Sequence, residues 1–221
     1  MQRTFFVGDI HGCALTFKKM VEEIIQLNKE DVLYCVGDYI DRGPRSKEVV
    51  DYILALRGSN YQVYTLRGNH EQMLLDARVG GSAHMLWMMN GGEHTLRSFG
   101  VSSPDEIEEK YQAFFAETEF YKTGQGFITV HAGLNFDAED PFNDLESMLW
   151  IRGFDVDLNF LNGRLLIHGH TPIPKEQILS QPLDAAINID GGCVYTFRED
   201  LGNLMALDLD EKRFLETGNI D

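Results

Sequence analysis

Five short clusters bring carboxylates, an amide, imidazoles and guanidinium groups within a few positions of one another. The first is Gly8-Asp9-Ile10-His11-Gly12. Asp9 and His11 stand two apart where an apolar run ends, so their side chains can face the same way. A carboxylate and an imidazole aimed at one point make half of a metal site. The second, Gly37 to Gly43, holds Asp38, Asp41 and Arg42. Asp38 can bridge two metals through its two oxygens, and Arg42 offers a planar fork matched to phosphate oxygens. The third is Arg67-Gly68-Asn69-His70-Glu71. Asn69 can give a metal its neutral oxygen, and His70 can move a proton near neutral pH. The fourth and fifth are Val130-His131-Ala132-Gly133 and His168-Gly169-His170-Thr171. Singly, each cluster has a bland explanation: a polar loop with an Asp41–Arg42 surface pair, a helix cap at Asn69 with Glu71 in the first turn, a hydrogen-bonded structural histidine. Together they do not, because each follows an apolar run that reads as a strand.

Those strands are residues 3–7, 32–36, 62–66, 127–130 and 164–167. Between the first three, apolar residues at helical spacing predict helices over 15–27 and 49–56, an order that implies α/β units. In such folds ligands bind at the carboxyl ends of the strands. Residues 102–118 open with Ser-Ser-Pro-Asp-Glu, a helix start, and carry Ile107, Tyr111, Phe114 and Phe115 on one face. After residue 174 short β pieces follow at 176–179, 185–189, 204–209 and 213–218. The expected fold is α/β (α+β): an α/β start, a helical middle and a β-rich end, in one domain over 1–221 with two packed mixed sheets flanked by helices.

Composition narrows the partners. The net charge is −16, from 35 acidic and 19 basic residues. A general affinity for nucleic acid or an anionic membrane needs a basic footprint that is missing here. No run is long and apolar enough to span a bilayer, and the N-terminus lacks the features of a signal peptide. Three cysteines fit reduced thiols in a cytoplasmic protein better than a disulfide framework. The charge is uneven: residues 1–101 carry 12 acids and 11 bases, whereas 102–157 carry 13 acids and 3 bases. A solvated face is the ordinary explanation of that acidic stretch; a bias against highly charged polyanions is the functional one.

GDIHG at 8–12, GDYIDRG at 37–43 and RGNHE at 67–71, followed by HAG at 131–133 and GHT at 169–171, resemble the metallophosphoesterase superfamily. Within it the pattern is similar to the phosphoprotein phosphatase type, especially the small bacterial and phage serine/threonine phosphatases. WMMNGGEHTLRSFG (87–100), LWIRG (149–153) and INIDGGC (187–193) also resemble the bacterial branch. The resemblance implies a calcineurin-like fold and two divalent metal ions, Mn²⁺ in the first place with Fe or Zn²⁺ as alternatives. Asp9, His11 and Asp38 would hold one metal, and Asp38, Asn69, His131 and His170 the other. It further implies hydrolysis of a phosphate monoester by in-line attack of a metal-bridging hydroxide, with no covalent intermediate. Arg42, Arg67 and Arg152 would bind the phosphoryl oxygens, His70 would be the general acid, and Asp41 would orient it. The substrate would be a phosphorylated protein or peptide, or a small phosphate ester, with residues 72–125 forming much of the wall that faces it.

Many superfamily members carry Gly-His-x-His, but here Pro172 stands where the second histidine would be, as in the phosphoprotein phosphatase type. Symmetrical dinucleoside polyphosphate hydrolases resemble this chain too, yet often alter the Asp-Arg-Gly that residues 41–43 keep. A metal-binding module without activity is the third reading, and a nuclease is disfavoured by the missing histidine. His168 is expected to be structural, His84 and His94 to be solvated or structural, and Cys35, Trp87, Met88 and Met89 to pack in the core.

Overall fold

The computed structural model describes residues 2–221. The chain opens with β1 (Thr4–Val7), α1 (Ala14–Lys19), β2 (Val32–Cys35), α2 (Ser46–Gly58), β3 (Gln62–Thr65) and α3 (Asn69–Ala77). Strands β1, β2 and β3 pair in parallel, so their carboxyl ends lie on one edge. The middle carries α4 (Gly81–Trp87), α5 (Glu93–Phe99) and α6 (Glu109–Ala116), then the antiparallel pair β4 (Tyr121–Gly124) and β5 (Phe127–Val130). There follow α7 (Leu145–Trp150), α8 (Leu158–Leu161), β6 (Leu165–His168), α9 (Lys175–Leu179), β7 (Ala186–Asn188), β8 (Asn203–Asp208) and β9 (Arg213–Gly218). One sheet runs β3-β2-β1-β8-β9 and the other β4-β5-β6-β7, both mixed.

Alternation along the strands builds the layers. Phe5 and Val7 of β1 join Phe17, Val50 and Ile53 beneath α1 and α2. Phe6, between them in sequence, points the other way and meets Phe127, Ile167 and Ile187 of the second sheet, with Met205 and Leu207 of β8. Ile128, Val130 and Leu166 then face a third cluster with Met148 and Leu161. A strand with both faces covered reads as an unbroken apolar run, which is how the sequence of β1 reads. Each such buried Phe, Leu or Ile contributes about 1.5–3 kcal/mol of hydrophobic stabilisation. Among the described residues, no helix is long and apolar enough to cross a membrane. The three cysteines are free thiols and buried.

Several expectations need correction. Residues 176–179 are helical, in α9, not β: Pro174 presets the entry (φ −53°) and only Ile178 is buried. The predicted helix over 15–27 changes to wider turns at Met20–Ile25 and stops at Gln26, which takes a left-handed φ of 51°. The 102–118 segment is broken into a short 3₁₀ turn at Pro104–Glu106 and α6. Strand β4 lay outside the expected strands because it is an edge strand with no fully buried position. Trp87 is fully buried, but Met89 is 85% exposed and is not a core residue.

Candidate metal centre

The clusters meet where the strands end. Asp9 and His11 follow β1, Asp38 to Arg42 follow β2, Asn69 and His70 open α3 after β3, and His131 and His170 follow β5 and β6. Among the described residues, five of the nine non-glycine residues at positive φ belong to this set: His11, Asp38, Asp41, Arg42 and His170. Such backbone costs of order 1–3 kcal/mol each and concentrates where function demands it. The loops approach so closely that two glycines are obligatory. A Cβ on Gly68 would sit 2.1 Å from Asp38 Oδ1, and one on Gly169 would sit 2.1 Å from Asp9 Oδ1.

The histidines present lone pairs to the centre. His11 Nδ1 lies 2.9 Å from Ile40 O, and His131 Nδ1 lies 3.0 Å from Val36 O. A carbonyl only accepts, so both Nδ1 atoms donate and both Nε2 atoms face inward unprotonated in the neutral ring. Burial keeps the rings neutral: it pushes His11 well below its ordinary value, with Arg42 adding to the effect, and lowers His131 as well. His131 Nε2 then lies 3.0 Å from Asn69 Oδ1, and His170 Nδ1 lies 3.0 Å from the same oxygen. Asp38 reaches the inward nitrogens of both sides, 3.4 Å from His11 Nε2 and 3.5 Å from His131 Nε2. Burial alone would raise the Asp38 carboxyl, but positive charge around it, from the imidazoles whenever they are protonated and from Arg42, outweighs burial and holds it well below the usual carboxylate range. Converging lone pairs with a shared carboxylate between them are what divalent cations require, and the mixed oxygen and nitrogen donors without thiolate suit Mn²⁺, Fe or Zn²⁺. Asp38 with His131 and His170 forms one compact ligand group; Asp38 with His11 and His70 forms another. In this conformation the Arg42 guanidinium supplies positive charge beside His11, with Nη1 2.6 Å from Nε2.

Asp9 is buried and both its oxygens accept from the His170 backbone N–H, at 3.3 and 3.1 Å. Burial, with Asp190 and Asp38 nearby, raises its carboxyl well above the usual range. A cation would reverse that, because it favours the ionised form. His70 Nδ1 donates to Asp41 Oδ2 at 2.7 Å, and among the described residues His70 Nε2 is buried with no partner, 3.9 Å from Asp38. His170 Nε2 is likewise buried and unpartnered.

The three arginines separate. Arg42 is at the centre, its guanidinium also 5.6 Å over the Tyr195 ring. Arg152 is exposed, makes no hydrogen bond or ion pair among the described residues, and its charge acts on His170 and Asp190. Arg67 does not join the cluster. Its Nε donates to Thr118 Oγ1, its Nη1 to Gln72 Oε1 and its Nη2 to Ala116 O, so every nitrogen is bound to the α3 and 116–118 region. In this conformation Arg67 therefore ties α3 to the 116–118 loop.

Sequence reasoning missed three supports. Glu71 accepts from the backbone N–H groups of Asp38, Tyr39 and Gly68, at 2.8–2.9 Å, and ties the second loop to the third. The cap of α3 is Gly68, not Asn69, and the place of Glu71 three residues after it was the available signal. Trp87 and Thr95 both bond to Asp41. His168 is partly covered and pushed down to about 4 by burial; its Nδ1 neighbours Gly169 O, not a metal ligand.

Two packed mixed sheets with ligands converging at the strand ends define a metallophosphoesterase. The chain belongs to the Calcineurin-like phosphoesterase family, whose profile matches residues 2–219. Serine/threonine-protein phosphatase 1 of Salmonella typhimurium is 45% identical over 96 residues, 43% of this chain and 42% of that one. The asymmetrical bis(5'-nucleosyl)-tetraphosphatase PrpE of Geobacillus sp. (strain WCH70) is 26% identical over 217 residues, 86% of this chain and 85% of that one. The chain thus spans under half the length of the first relative and most of the second. The cold-active protein-tyrosine phosphatase of a psychrophilic Shewanella sp. shares the fold, with a TM-score of 0.70 at 15% identity over 99% of this chain and 78% of that one. The phosphoprotein phosphatase type read from the motifs agrees with the Salmonella relative.

Proposed function

We propose that the protein is a two-metal phosphatase of the serine/threonine protein phosphatase type, acting on phosphate monoesters. The observation that carries it is the shared carboxylate of Asp38 between two sets of inward nitrogens, beside a His70–Asp41 pair whose free Nε2 faces the same space. Asp9, His11 and Asp38 would hold one divalent ion, and Asp38, Asn69, His131 and His170 the other; Mn²⁺ is our choice. Bound there, the ions would supply Lewis-acid charge at phosphorus and an activated water. Arg42 and Arg152 bind and orient the phosphoryl oxygens. His70 holds the proton at Nε2 that passes to the leaving oxygen, and Asp41 keeps the ring turned for that transfer. Retention of Asp41-Arg42-Gly43 and the Salmonella relative support the protein phosphatase type.

Hydrolysis of dinucleoside tetraphosphates is the second reading. It draws on the PrpE relative, which this chain matches over most of its length, and on a cleft of about 400 Å³ beside Arg42, lined by Tyr195, Phe197 and Pro172, that could take a planar base. A comparison of phosphopeptides with diadenosine tetraphosphate at matched metal loading decides between them. Preference for phosphopeptide is expected, and a strong preference for the dinucleotide would reverse the order. Inactivity of the metal-loaded chain on both, and on small phosphate esters, would favour a binding module.

A further inference from the structure

The segment Trp87 to Thr95 packs on the loop that carries Asp41 and Arg42. It turns at Gly91 (φ 102°), where a Cβ would lie 2.7 Å from Arg42 N, and at Gly92, where one would lie 2.5 Å from the Trp87 ring. Without side chains there, α4 and α5 close on Asp41 from both sides. Trp87 Nε1 lies 3.1 and 3.0 Å from the two Asp41 oxygens. Thr95 Oγ1 donates to Asp41 Oδ1 at 2.6 Å, and itself accepts from the Asp41 backbone N–H at 2.9 Å. Ser46 Oγ, 3.1 Å from Thr95 Oγ1, completes the hydroxyl's partners. Asp41, His70, Trp87, Thr95 and Ser46 are all fully buried.

We infer that Trp87 and Thr95 are positioning residues that hold Asp41 so that it fixes the rotation of His70, with Nδ1–H on Asp41 and Nε2 turned toward the centre. The inference rests on the reading of His70 as general acid. Three donors converge on one carboxylate: indole, hydroxyl and imidazole. Indole and hydroxyl fix both oxygens, so the carboxylate plane cannot turn away from His70. Asp41 also sits at a φ of 69°, a backbone conformation that needs external support. An apolar ring of the same size would fill the core equally well. The indole N–H is what adds an orienting bond, and buried indoles need an acceptor.

The test uses the full metal-loaded chain with Trp87→Phe, Thr95→Val and Thr95→Ser, on p-nitrophenyl phosphate and on an alkyl phosphate. Proton transfer matters most for the poor alkoxide leaving group. Trp87→Phe and Thr95→Val should each lower the ratio of kcat on the alkyl ester to kcat on the aryl ester by about 10-fold or more, as loss of an outer orienting partner does elsewhere. Thr95→Ser keeps the hydroxyl and should restore the ratio. A ¹⁵N–¹H spectrum adds a readout independent of turnover: the Trp87 indole resonance should move on Asp41→Asn. Equal losses on both esters, or a wild-type ratio in Trp87→Phe, would overturn the positioning role, as would an indole resonance indifferent to Asp41. A wild-type chain inactive on both esters would instead refute the phosphatase reading and the role with it. That outcome differs visibly from an active wild type with an unaltered Trp87→Phe.

Discussion

His70 sits at the junction of two roles, since it bonds Asp41 and also falls within one of the compact ligand groups. His70→Asn separates them. If the residue delivers a proton, kcat should fall about 10²–10⁴-fold while metal content, read by atomic emission, stays at the wild-type value; metal lost in parallel would make His70 a ligand. At Cys35, burial pushes the thiol up to about 12. Native protein should therefore leave this thiol unalkylated at pH 8, with all three cysteines reacting only after denaturation, as mass spectrometry would read. Rapid native labelling of Cys35 would contradict the burial described. Most of the convergence was legible residue by residue because short motifs place each candidate ligand at a strand end. The packing of Arg67 was not legible because its partners Thr118 and Ala116 lie about fifty positions away, and no local spacing announces them.

The elements that position the centre are the parallel strands β1, β2, β3, β5 and β6 and the loops that follow them. Their apolar runs made these strands readable, whereas β4 and α9 depend on edge exposure and on Pro174 and escaped the pattern. The α4–α5 turn was visible only as a string of residues, and its meaning comes from contact with Asp41. Gly92→Ala tests that contact at the level of packing. Its methyl would press on the Trp87 ring, and overpacking of this kind should cost about 1–3 kcal/mol in urea unfolding. Gly58→Ala, at a position where a Cβ meets open space, should be neutral or stabilise by up to about 1 kcal/mol. Equal stability of the two variants would mean that the turn does not pack as described.

Across the molecule, twelve of the thirteen acids in 102–157 are exposed, all but Asp144, so the charge of that stretch lies on solvated surface while Ile128, Val130 and Met148 within it are core. The buried histidines give the metal-free protein a definite pH response. Burial pushes His168 down to about 4 and His170 to about 3, whereas an unfolded histidine titrates near 6.5. Between those values the unfolded chain binds more protons at these rings, so the stability they confer is fully present above about pH 6.5 and declines as pH falls. The buried carboxyls of Asp9, Glu71 and Asp190, raised by burial, act in the opposite sense, so the test compares chelated wild type with His168→Asn: the wild-type urea midpoint should fall relative to the variant's between pH 7.5 and pH 5, and a constant difference would contradict a neutral His168. The central claim is that Asp38 joins two cation sites that together power phosphate ester hydrolysis. Metal titration of the chelated chain, followed by calorimetry and by p-nitrophenyl phosphate turnover in the same samples, tests it most directly. We predict that activity is absent without metal and appears as two divalent ions bind per chain. Full activity in excess chelator, or a fully loaded chain that hydrolyses no phosphate ester, would contradict it.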